Sequence, residues 1–315
     1  MALSGTHDLR RSSVRIIEVS PRDGLQHEST FLPTARKIAL INALSRTGVT
    51  EIEAGSFVSP TAIPQLADAD EVFRSIERLP GVTYSALVPN ARGFERARAA
   101  AVTKIALFTA ASDSFTRHNI KATVDESLMR FGPIVRAAKR DDMLVRAYIS
   151  TVVFCPYEGR IAPPRVLDVM KQLLDLGVDE LSLGETVGKA APSDLRMLLD
   201  TVIPHIHPAR LSLHCHDTYG MGIANILTAW DEYGLTAFDC SAGGLGGCPY
   251  APGASGNVAT EDVVFALKAS GAVVPVDERL VAACAQQLAE SLRRPLSSRL
   301  SYVPRHCEPA ATVKV

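Results

Sequence analysis

Residues 211–240, LSLHCHDTYGMGIANILTAWDEYGLTAFDC, contain one complete strand–helix–strand unit. The runs LSLHC and AFDC at its two ends are short and apolar, which is typical of parallel strands that are buried on both faces. Between them, NILTAWDEYG has the periodicity of an amphipathic helix and stops at Gly234. The stretch therefore predicts two parallel strands joined by a helix.

The same unit recurs along the chain. Six further strand-like runs precede it, and they begin at Val14 (VRIIEV), Glu51 (EIEA), Thr83 (TYSALV), Lys104 (KIALF), Leu144 (LVRAYIS) and Glu180 (ELSL). Helical periodicity appears between them, in TARKIALINALSR, DEVFRSIERL and PPRVLDVMKQLLDLG among others. Eight such units favour an α/β fold, the (β/α)₈ TIM barrel, over a doubly wound sheet, which usually has fewer strands.

We therefore expect one catalytic domain over residues 14–295, an ordinary size for such a barrel. Residues 1–13 precede the first strand as an N-terminal extension, and residues 296–315 form a polar tail. Before the tail, DERLVAACAQQLAESLRRPL predicts one added amphipathic helix beyond the eighth unit.

Charge and composition exclude several classes of protein. The chain has 315 residues, with 33 basic and 34 acidic side chains and a net charge of -1. It therefore lacks the excess of positive charge that binds a nucleic acid or an anionic membrane. No apolar run reaches the roughly 20 residues of a membrane span, and the N-terminus lacks the apolar segment of a secretory signal. We expect a cytoplasmic protein with reduced cysteines and a small-molecule partner. Whether it forms a homo-oligomer is not determined by the sequence.

Two histidines follow each other at the end of a strand. In this barrel class the chemistry takes place where strands end and lead into helices. Because successive side chains of a strand alternate, His214 and His216 point to one side and Cys215 to the other. The pair is half of a metal site. The alternative, two hydrogen-bonded core histidines, is disfavoured by Asp217, which follows, and by the position in the barrel.

A second histidine pair provides a control for this interpretation. His205 and His207 in IPHIHPAR have the same spacing, but they precede the strand and are flanked by prolines. We assign this pair to the bottom face of the barrel, without function.

The first strand and the loop after the last strand contribute further ligands. The segment EVSPRDGLQHE places Arg22 and Asp23 where the first strand opens onto the mouth; the alternative is a surface ion pair. After the last strand, SAGGLGGCPYAPGASGN ends in Asn257. The first, seventh and eighth strands are neighbours in a closed barrel, so Asp23 and Asn257 can converge on one ion with the two imidazoles.

These four ligands suit a hard or borderline ion. Two imidazoles, one carboxylate and one amide oxygen favour Mg²⁺ or Mn²⁺ over a thiolate-rich structural zinc site, although ligand types alone do not exclude zinc. Gly24 permits a tight turn beneath a ligand. The glycines of the last loop predict a mobile lid that carries Cys248 over the site.

Five motifs resemble those of the 3-hydroxy-3-methylglutaryl-CoA lyase family: SPRDGLQHE, SFVSP, CPYEG, HCHDTYG and GGLGGCPYAPGASGNVATED. The resemblance runs from about Val14 to Ala269. The last motif is the most specific, because its cysteine loop separates the family from synthases and aldolases that share the barrel. The chain departs from the family pattern at Glu185, where Asp is usual, and at His27, Gly55 and residues 151–154. These departures concern acyl specificity more than the reaction.

The resemblance implies a carbon–carbon lyase that cleaves a 3-hydroxyacyl-CoA with the help of a divalent metal. It implies metal ligands at Asp23, His214, His216 and Asn257. It implies that Arg22 faces the thioester oxygen and that Cys248 acts as a catalytic acid or base. It places in the acyl pocket the side chains of Gln26, Glu53, Ser56, Arg146 and Tyr148.

The chemistry leaves some roles and alternatives open. Asp23 or Glu185 could take the proton of the substrate hydroxyl. For Glu53, a scaffold contact with Arg22 or Arg146 is favoured over direct chemistry. The alternative functions are the same reaction on a related 3-substituted 3-hydroxyglutaryl-CoA, and a 2-oxo acid aldolase or condensing synthase, which would not need Cys248. A binding barrel without catalysis is disfavoured because every ligand type is present.

Overall fold

The computed structural model describes residues 13–26, 28–247 and 256–303. In chain order the strands are β1 (Arg15–Glu18), β2 (Glu51–Ser56), β3 (Thr83–Leu87), β4 (Lys104–Ala110), β5 (Leu144–Ser150), β6 (Phe154–Cys155), β7 (Gly159–Arg160), β8 (Glu180–Glu185), β9 (Leu211–Cys215) and β10 (Ala237–Cys240). The short strands β6 and β7 form an antiparallel hairpin. The other eight are parallel and close into a barrel, in which β1 pairs with β2 and β10. This confirms the (β/α)₈ prediction.

Helices connect successive strands on the outside of the barrel. They are α1 (Thr34–Leu44), α2 (Ala69–Ser75), α3 (Ala91–Ala99), α4 (Asp113–Ile120), α5 (Val124–Arg140), α6 (Pro163–Asp175), α7 (Pro192–Val202), α8 (Gly222–Tyr233), α9 (Thr260–Ala269) and α10 (Glu278–Leu292). The last of these is the added helix, and it packs against α1 and α9.

Local sequence signals set the ends of these helices. Thr123 and Glu126 form a capping box at the start of α5, and Ser112 accepts a hydrogen bond from the first turn of α4. Proline begins α6 and α7, where the missing N–H costs nothing. Gly234 ends α8 in the left-handed conformation (φ 68°).

The two sides of the barrel wall differ in chemistry. Aliphatic side chains fill the space between strands and helices and form the main core. The inside also holds buried charges. At the amino-terminal end, where Lys104, Glu51 and Glu180 are the first residues of their strands, the Lys104 Nζ lies 2.8 Å from a Glu51 oxygen and 2.6 Å from a Glu180 oxygen. This end is closed by ion pairs, and the cleft lies at the other end.

The segment after α10 packs onto the barrel as far as it is described. Residues 296–303 include a 3₁₀ turn at Leu300–Tyr302, and the backbone N–H of Ser297 donates to the carbonyl of Gly243 at 3.0 Å. Part of the predicted polar tail therefore contacts the base of the glycine-rich loop. Among the described residues, no helix is both long enough and apolar enough to cross a membrane.

Candidate active site

The turn after β1 presents two charged side chains to the barrel mouth. Residues Ser20–Gly24 form one π-helical turn, in which the N–H groups of Arg22 and Asp23 both donate to the carbonyl of Val19, at 3.1 and 2.8 Å. Such turns are common at functional sites. Arg22 and Asp23 both line a cleft at the carboxyl ends of the strands.

The structure gives Gly24 a packing role that the sequence did not predict. A side chain on Gly24 would lie 2.9 Å from the hydroxyl of Ser241 and 3.1 Å from the carbonyl oxygen of Leu245. Glycine is thus required because the turn packs closely against the loop after β10.

The end of β9 supplies the two imidazoles. His214 and His216 line the same cleft, each with 7% of its surface exposed, and their ring centroids are 5.3 Å apart. Cys215 between them is fully buried, as alternation along a strand requires. The Nε2 atom of His214 lies 3.9 Å from an Asp23 oxygen.

Asn257 reaches the site from the far side of the glycine-rich loop. Its backbone forms an isolated bridge with His216, and its amide nitrogen donates to Asp23 Oδ2 at 2.9 Å and to the carbonyl of Leu245 at 3.0 Å. These two hydrogen bonds fix the orientation of the amide. The buried Oδ1 atom consequently accepts no hydrogen bond within the described part of the chain.

This arrangement fits a divalent metal ion. Ligand atoms of Asp23, His214 and His216 all lie within 4.8 Å of one another. The bare amide oxygen of Asn257 is a fourth donor of the type that Mg²⁺ and Mn²⁺ accept. Arg22 faces the two carboxylates of Asp23 and Glu53, so these three side chains together carry a net negative charge that favours a cation.

Hydrogen bonds hold Arg22 in place. Its Nη1 donates to Asp23 at 2.6 Å and its Nε to Glu53, whose other oxygen accepts from the Tyr148 hydroxyl at 2.8 Å. Burial would lower the pKa of Arg22, but the Glu53 and Asp23 carboxylates outweigh it, so the pKa rises and the group remains a cation. Burial likewise would raise the pKa of Asp23, and Arg22 with the two histidines holds it below its usual range.

The residues predicted for the acyl pocket are divided by the structure. Gln26 and Tyr148 line the cleft, and Gln26 donates to Asp23 at 2.7 Å. Glu53 makes the expected scaffold contact with Arg22. Arg146 is fully buried beneath the cleft, and the Ser56 hydroxyl is hydrogen bonded to backbone groups at 3.3 Å, so neither is brought to the cleft surface.

Glu185 also lies away from the cleft. It is in register with Cys215, whereas its neighbour Gly184 is in register with His214 and lines the cleft. The Glu185 carboxylate accepts a hydrogen bond from the backbone of Lys189 at 3.3 Å. Burial raises its pKa to about 7. Of the two candidate bases, only Asp23 is among the residues that line the cleft.

Several residues at the site were not identified from the sequence. The cleft wall also includes Phe108 and Ser150 on strands, Phe115 and Asn119 on α4, and Thr186 after β8. Their position after strand ends was the available signal, but it is shared by many surface residues. Beneath the cleft, the buried Asp239 on β10 pairs with Arg146.

Another unpredicted residue, Glu18, fixes the loop after β10 to β1. Its carboxylate accepts hydrogen bonds from the backbone N–H groups of Ser20 at 2.8 Å and Ala242 at 3.0 Å, and from the Thr260 hydroxyl at 2.7 Å. Burial raises its pKa to about 7. Glu18 thus fixes the turn that carries Arg22 relative to the loop that leads to Asn257.

Cys248 lies outside the described residues, as does His27. The residue before Cys248, Gly247, is described and lines the cleft beside His214 and His216.

Comparison with known proteins gives a consistent result. The HMGL-like family model matches residues 13–287. The chain is 46% identical over 288 residues to the mouse (Mus musculus) protein named 3-hydroxy-3-methylglutaryl-CoA lyase, cytoplasmic, covering 91% of this chain and 84% of that protein. It is 44% identical over 294 residues to the Macaca fascicularis protein named hydroxymethylglutaryl-CoA lyase, mitochondrial, covering 93% of this chain and 90% of the relative.

Solved structures agree in fold. The HMG-CoA lyase of Bacillus subtilis superposes with a TM-score of 0.90 at 43% identity, over 91% of this chain and 96% of that one. An HMG-CoA lyase from Acinetobacter baumannii, in complex with coenzyme A and 3-methylmalate, has a TM-score of 0.90 at 37% identity over 98% of this chain and 99% of that one.

Proposed function

The chain belongs to the HMGL-like family, and we propose that it is a carbon–carbon lyase that cleaves 3-hydroxy-3-methylglutaryl-CoA into acetyl-CoA and acetoacetate. The observation that carries this proposal is the convergence of Asp23, His214, His216 and Asn257 beside the buried cation Arg22. A site of this kind can remove a hydroxyl proton and stabilise an enolate, which are the two needs of the reaction.

The reaction breaks the bond between C2 and C3 of the substrate. The C3 hydroxyl loses its proton, its oxygen becomes the ketone of acetoacetate, and the electron pair of the broken bond passes to C2. That pair is delocalised onto the thioester oxygen as an enolate, and a proton added at C2 completes acetyl-CoA. No oxidant, reductant or second substrate is required.

Asp23 is the group that we assign as acceptor of the hydroxyl proton. Its carboxylate lines the cleft, whereas that of Glu185 accepts a hydrogen bond from the Lys189 backbone. A divalent metal held by the four ligands would make the hydroxyl more acidic, which a carboxylate with a lowered pKa requires of its proton donor. The donor types favour Mg²⁺ or Mn²⁺ as that ion.

Arg22 is placed to stabilise the enolate. Glu53 and Asp23 hold its Nε and Nη1, which leaves Nη2 outside both of these hydrogen bonds on a side chain that lines the cleft. A fixed cation aimed at the oxygen where charge develops lowers the barrier without reorganisation during the reaction. We assign the proton added at C2 to the thiol of Cys248, the residue after Gly247.

The relatives support the proposed substrate class but leave the location of the protein open. An acyl-CoA thioester is the proposed substrate, in line with the coenzyme A bound in the A. baumannii structure. Relatives are named as both cytoplasmic and mitochondrial enzymes, so the cytoplasmic location stays a prediction.

The test is a coupled assay for acetoacetate with purified protein, 3-hydroxy-3-methylglutaryl-CoA and Mg²⁺. We expect acetoacetate and acetyl-CoA in equal amounts, and none after chelation. A homologue with a longer branch at C3 is assayed in parallel, because residues 151–154 depart from the family pattern next to Ser150 of the cleft. Faster turnover of that homologue would assign the longer substrate, and no cleavage of either would contradict the proposal.

A further inference from the structure

Asp239 is a buried carboxylate that the proposed mechanism does not use. It lies on β10 in register with His214 on β9, and its Oδ2 atom is 3.4 Å from the Nδ1 atom of His214. The other ring nitrogen of His214, Nε2, faces Asp23 at 3.9 Å. The imidazole therefore lies between two carboxylates, one at each nitrogen.

Side chains of two further strands, β5 and β8, hold Asp239 in place. Its Oδ1 atom is paired with Arg146 of β5, and its Oδ2 atom accepts a hydrogen bond from the Ser182 hydroxyl of β8 at 2.8 Å. Arg146 in turn donates to the Ser212 hydroxyl of β9 at 2.6 Å and to the Tyr148 hydroxyl at 3.2 Å. A carboxylate with so many partners has little freedom to move away from His214.

The charges of this cluster are balanced before any metal is considered. Arg146 and Asp239 are both fully buried, with one positive and one negative charge. Paired with Arg146 and bonded to the Ser182 hydroxyl, Asp239 accepts hydrogen bonds, and the buried Nδ1 atom of His214 beside it has no hydrogen-bond partner among the described residues.

We infer that Asp239 is a positioning residue: it accepts the Nδ1–H of His214, fixes that tautomer, and so directs the lone pair of Nε2 toward Asp23. The separation of 3.4 Å is slightly longer than a typical N–H···O bond. Histidines that bind metals commonly donate their second N–H to a carboxylate, which orients the ring and raises its basicity. The inference rests on the proposed metal site.

The direct test measures Mn²⁺ affinity without substrate, by electron paramagnetic resonance of free Mn²⁺. We expect Asp239→Asn to weaken Mn²⁺ binding by roughly 10–100-fold, the usual cost of losing such a partner. The matched control is Glu180→Gln, which makes the same chemical change in the ion pair with Lys104 at the closed end of the barrel. It should lower the melting temperature but leave Mn²⁺ affinity unchanged.

A second measurement does not depend on the folding of the Asp239→Asn variant. Long-range ¹H–¹⁵N NMR of the wild-type protein saturated with Mg²⁺ reports the tautomer of each histidine, and His214→Ala assigns the signal. A proton on Nδ1 of His214 is expected. A proton on Nε2, unchanged Mn²⁺ affinity in folded Asp239→Asn, or an equal loss in Glu180→Gln would each overturn the inference.

Failure of this inference can be distinguished from failure of the proposed function. If wild-type protein cleaves no acyl-CoA but binds Mn²⁺ in a manner that depends on Asp239, the positioning role stands and the assigned reaction is wrong. If the wild-type protein binds no Mn²⁺, the metal site and the inference both fail.

Discussion

The chain contains two histidine pairs with the same spacing and opposite surroundings. His205 and His207 are exposed on the loop that enters β9, and the Nδ1 atom of His207 accepts a hydrogen bond from the backbone of Ala209 at 3.2 Å. His214 and His216 are buried at the end of the same strand, beside Asp23. Strand alternation brings only the second pair to one side, where it meets Asp23 from the turn after β1.

The two ends of the barrel also differ in how their buried charges are balanced. At the closed end two cations, Lys104 and Arg15, meet the two carboxylates of Glu51 and Glu180, so the charges balance. At the open end the partners are too few: Asn257 Oδ1 has no hydrogen bond within the described residues, and Arg22 faces two carboxylates. The excess of negative charge at the open end is what a bound cation would balance, which supports the proposed metal site.

Removal of the metal should give the largest effect, because only the open end depends on an ion. Treatment with a chelator should reduce acetoacetate formation to background, and added Mg²⁺ or Mn²⁺ should restore it. The measurement is the coupled assay on chelated and reconstituted protein, with the melting temperature as a check that the fold persists. Full activity in metal-free protein would contradict the claim that the open end of the barrel needs a metal ion.

The next largest effect is expected at Cys248, next to a residue that lines the same cleft. Cys248→Ser replaces the thiol with a far weaker acid, so kcat should fall by roughly 10²–10⁴-fold, the contribution of a general acid. Mn²⁺ affinity should not change. Substrate should also protect the thiol from alkylation.

The matched control is Cys284→Ser, which changes a buried thiol on α10. Its turnover should equal that of the wild type. Near-normal turnover in Cys248→Ser would favour the aldolase or condensing synthase alternatives. An alkylation rate that substrate does not change would favour them as well.

An arginine beside each histidine pair sharpens the comparison further. Arg22→Met should lower kcat by on the order of a hundredfold, the scale of one lost oxyanion-stabilising donor, with a smaller change in Mn²⁺ affinity. Arg210→Met removes an exposed arginine that donates to the carbonyl of Asp179 near His207, and it should leave kcat unchanged. A rise in KM alone in Arg22→Met would indicate a binding contact instead.

The smallest effect concerns the packing that holds the open end together. Gly24→Ala should destabilise the protein by about 1–3 kcal/mol, because the added methyl group meets the backbone of Leu245 and the Ser241 hydroxyl. In Gly55→Ala the new methyl group would meet its neighbours at 3.5 Å or more, so the stability should change less. Chemical denaturation measures both, and equal losses would contradict the close-packing role of Gly24.

The sequence predicted the barrel well, because each strand is a short apolar run followed by a helix with clear end signals. It also separated the two histidine pairs, since one precedes the strand and the other ends it. Alternation within β9 was sufficient to place His214 and His216 together. These predictions depend on local patterns, which a single sequence contains.

The remaining features depend on register between strands, which no local pattern contains. Glu185 is the last residue of β8, a position that predicts a side chain at the barrel mouth. Its register with Cys215 instead directs the side chain away from the cleft. Asp239 and Arg146 lie within strands that are buried on both faces, so the sequence does not indicate which face looks into the barrel. Their pairing across β5 and β10 appears only when the barrel is closed.

The most direct test of the central claim compares two double variants, His214→Ala/His216→Ala and His205→Ala/His207→Ala. For each, acetoacetate formation from 3-hydroxy-3-methylglutaryl-CoA is measured across a Mn²⁺ titration, together with the melting temperature. The first should show neither Mn²⁺ binding nor activity while it remains folded, and the second should match the wild type within about twofold. Activity retained in the first, or lost equally in both, would contradict a metal-dependent lyase site at the end of β9.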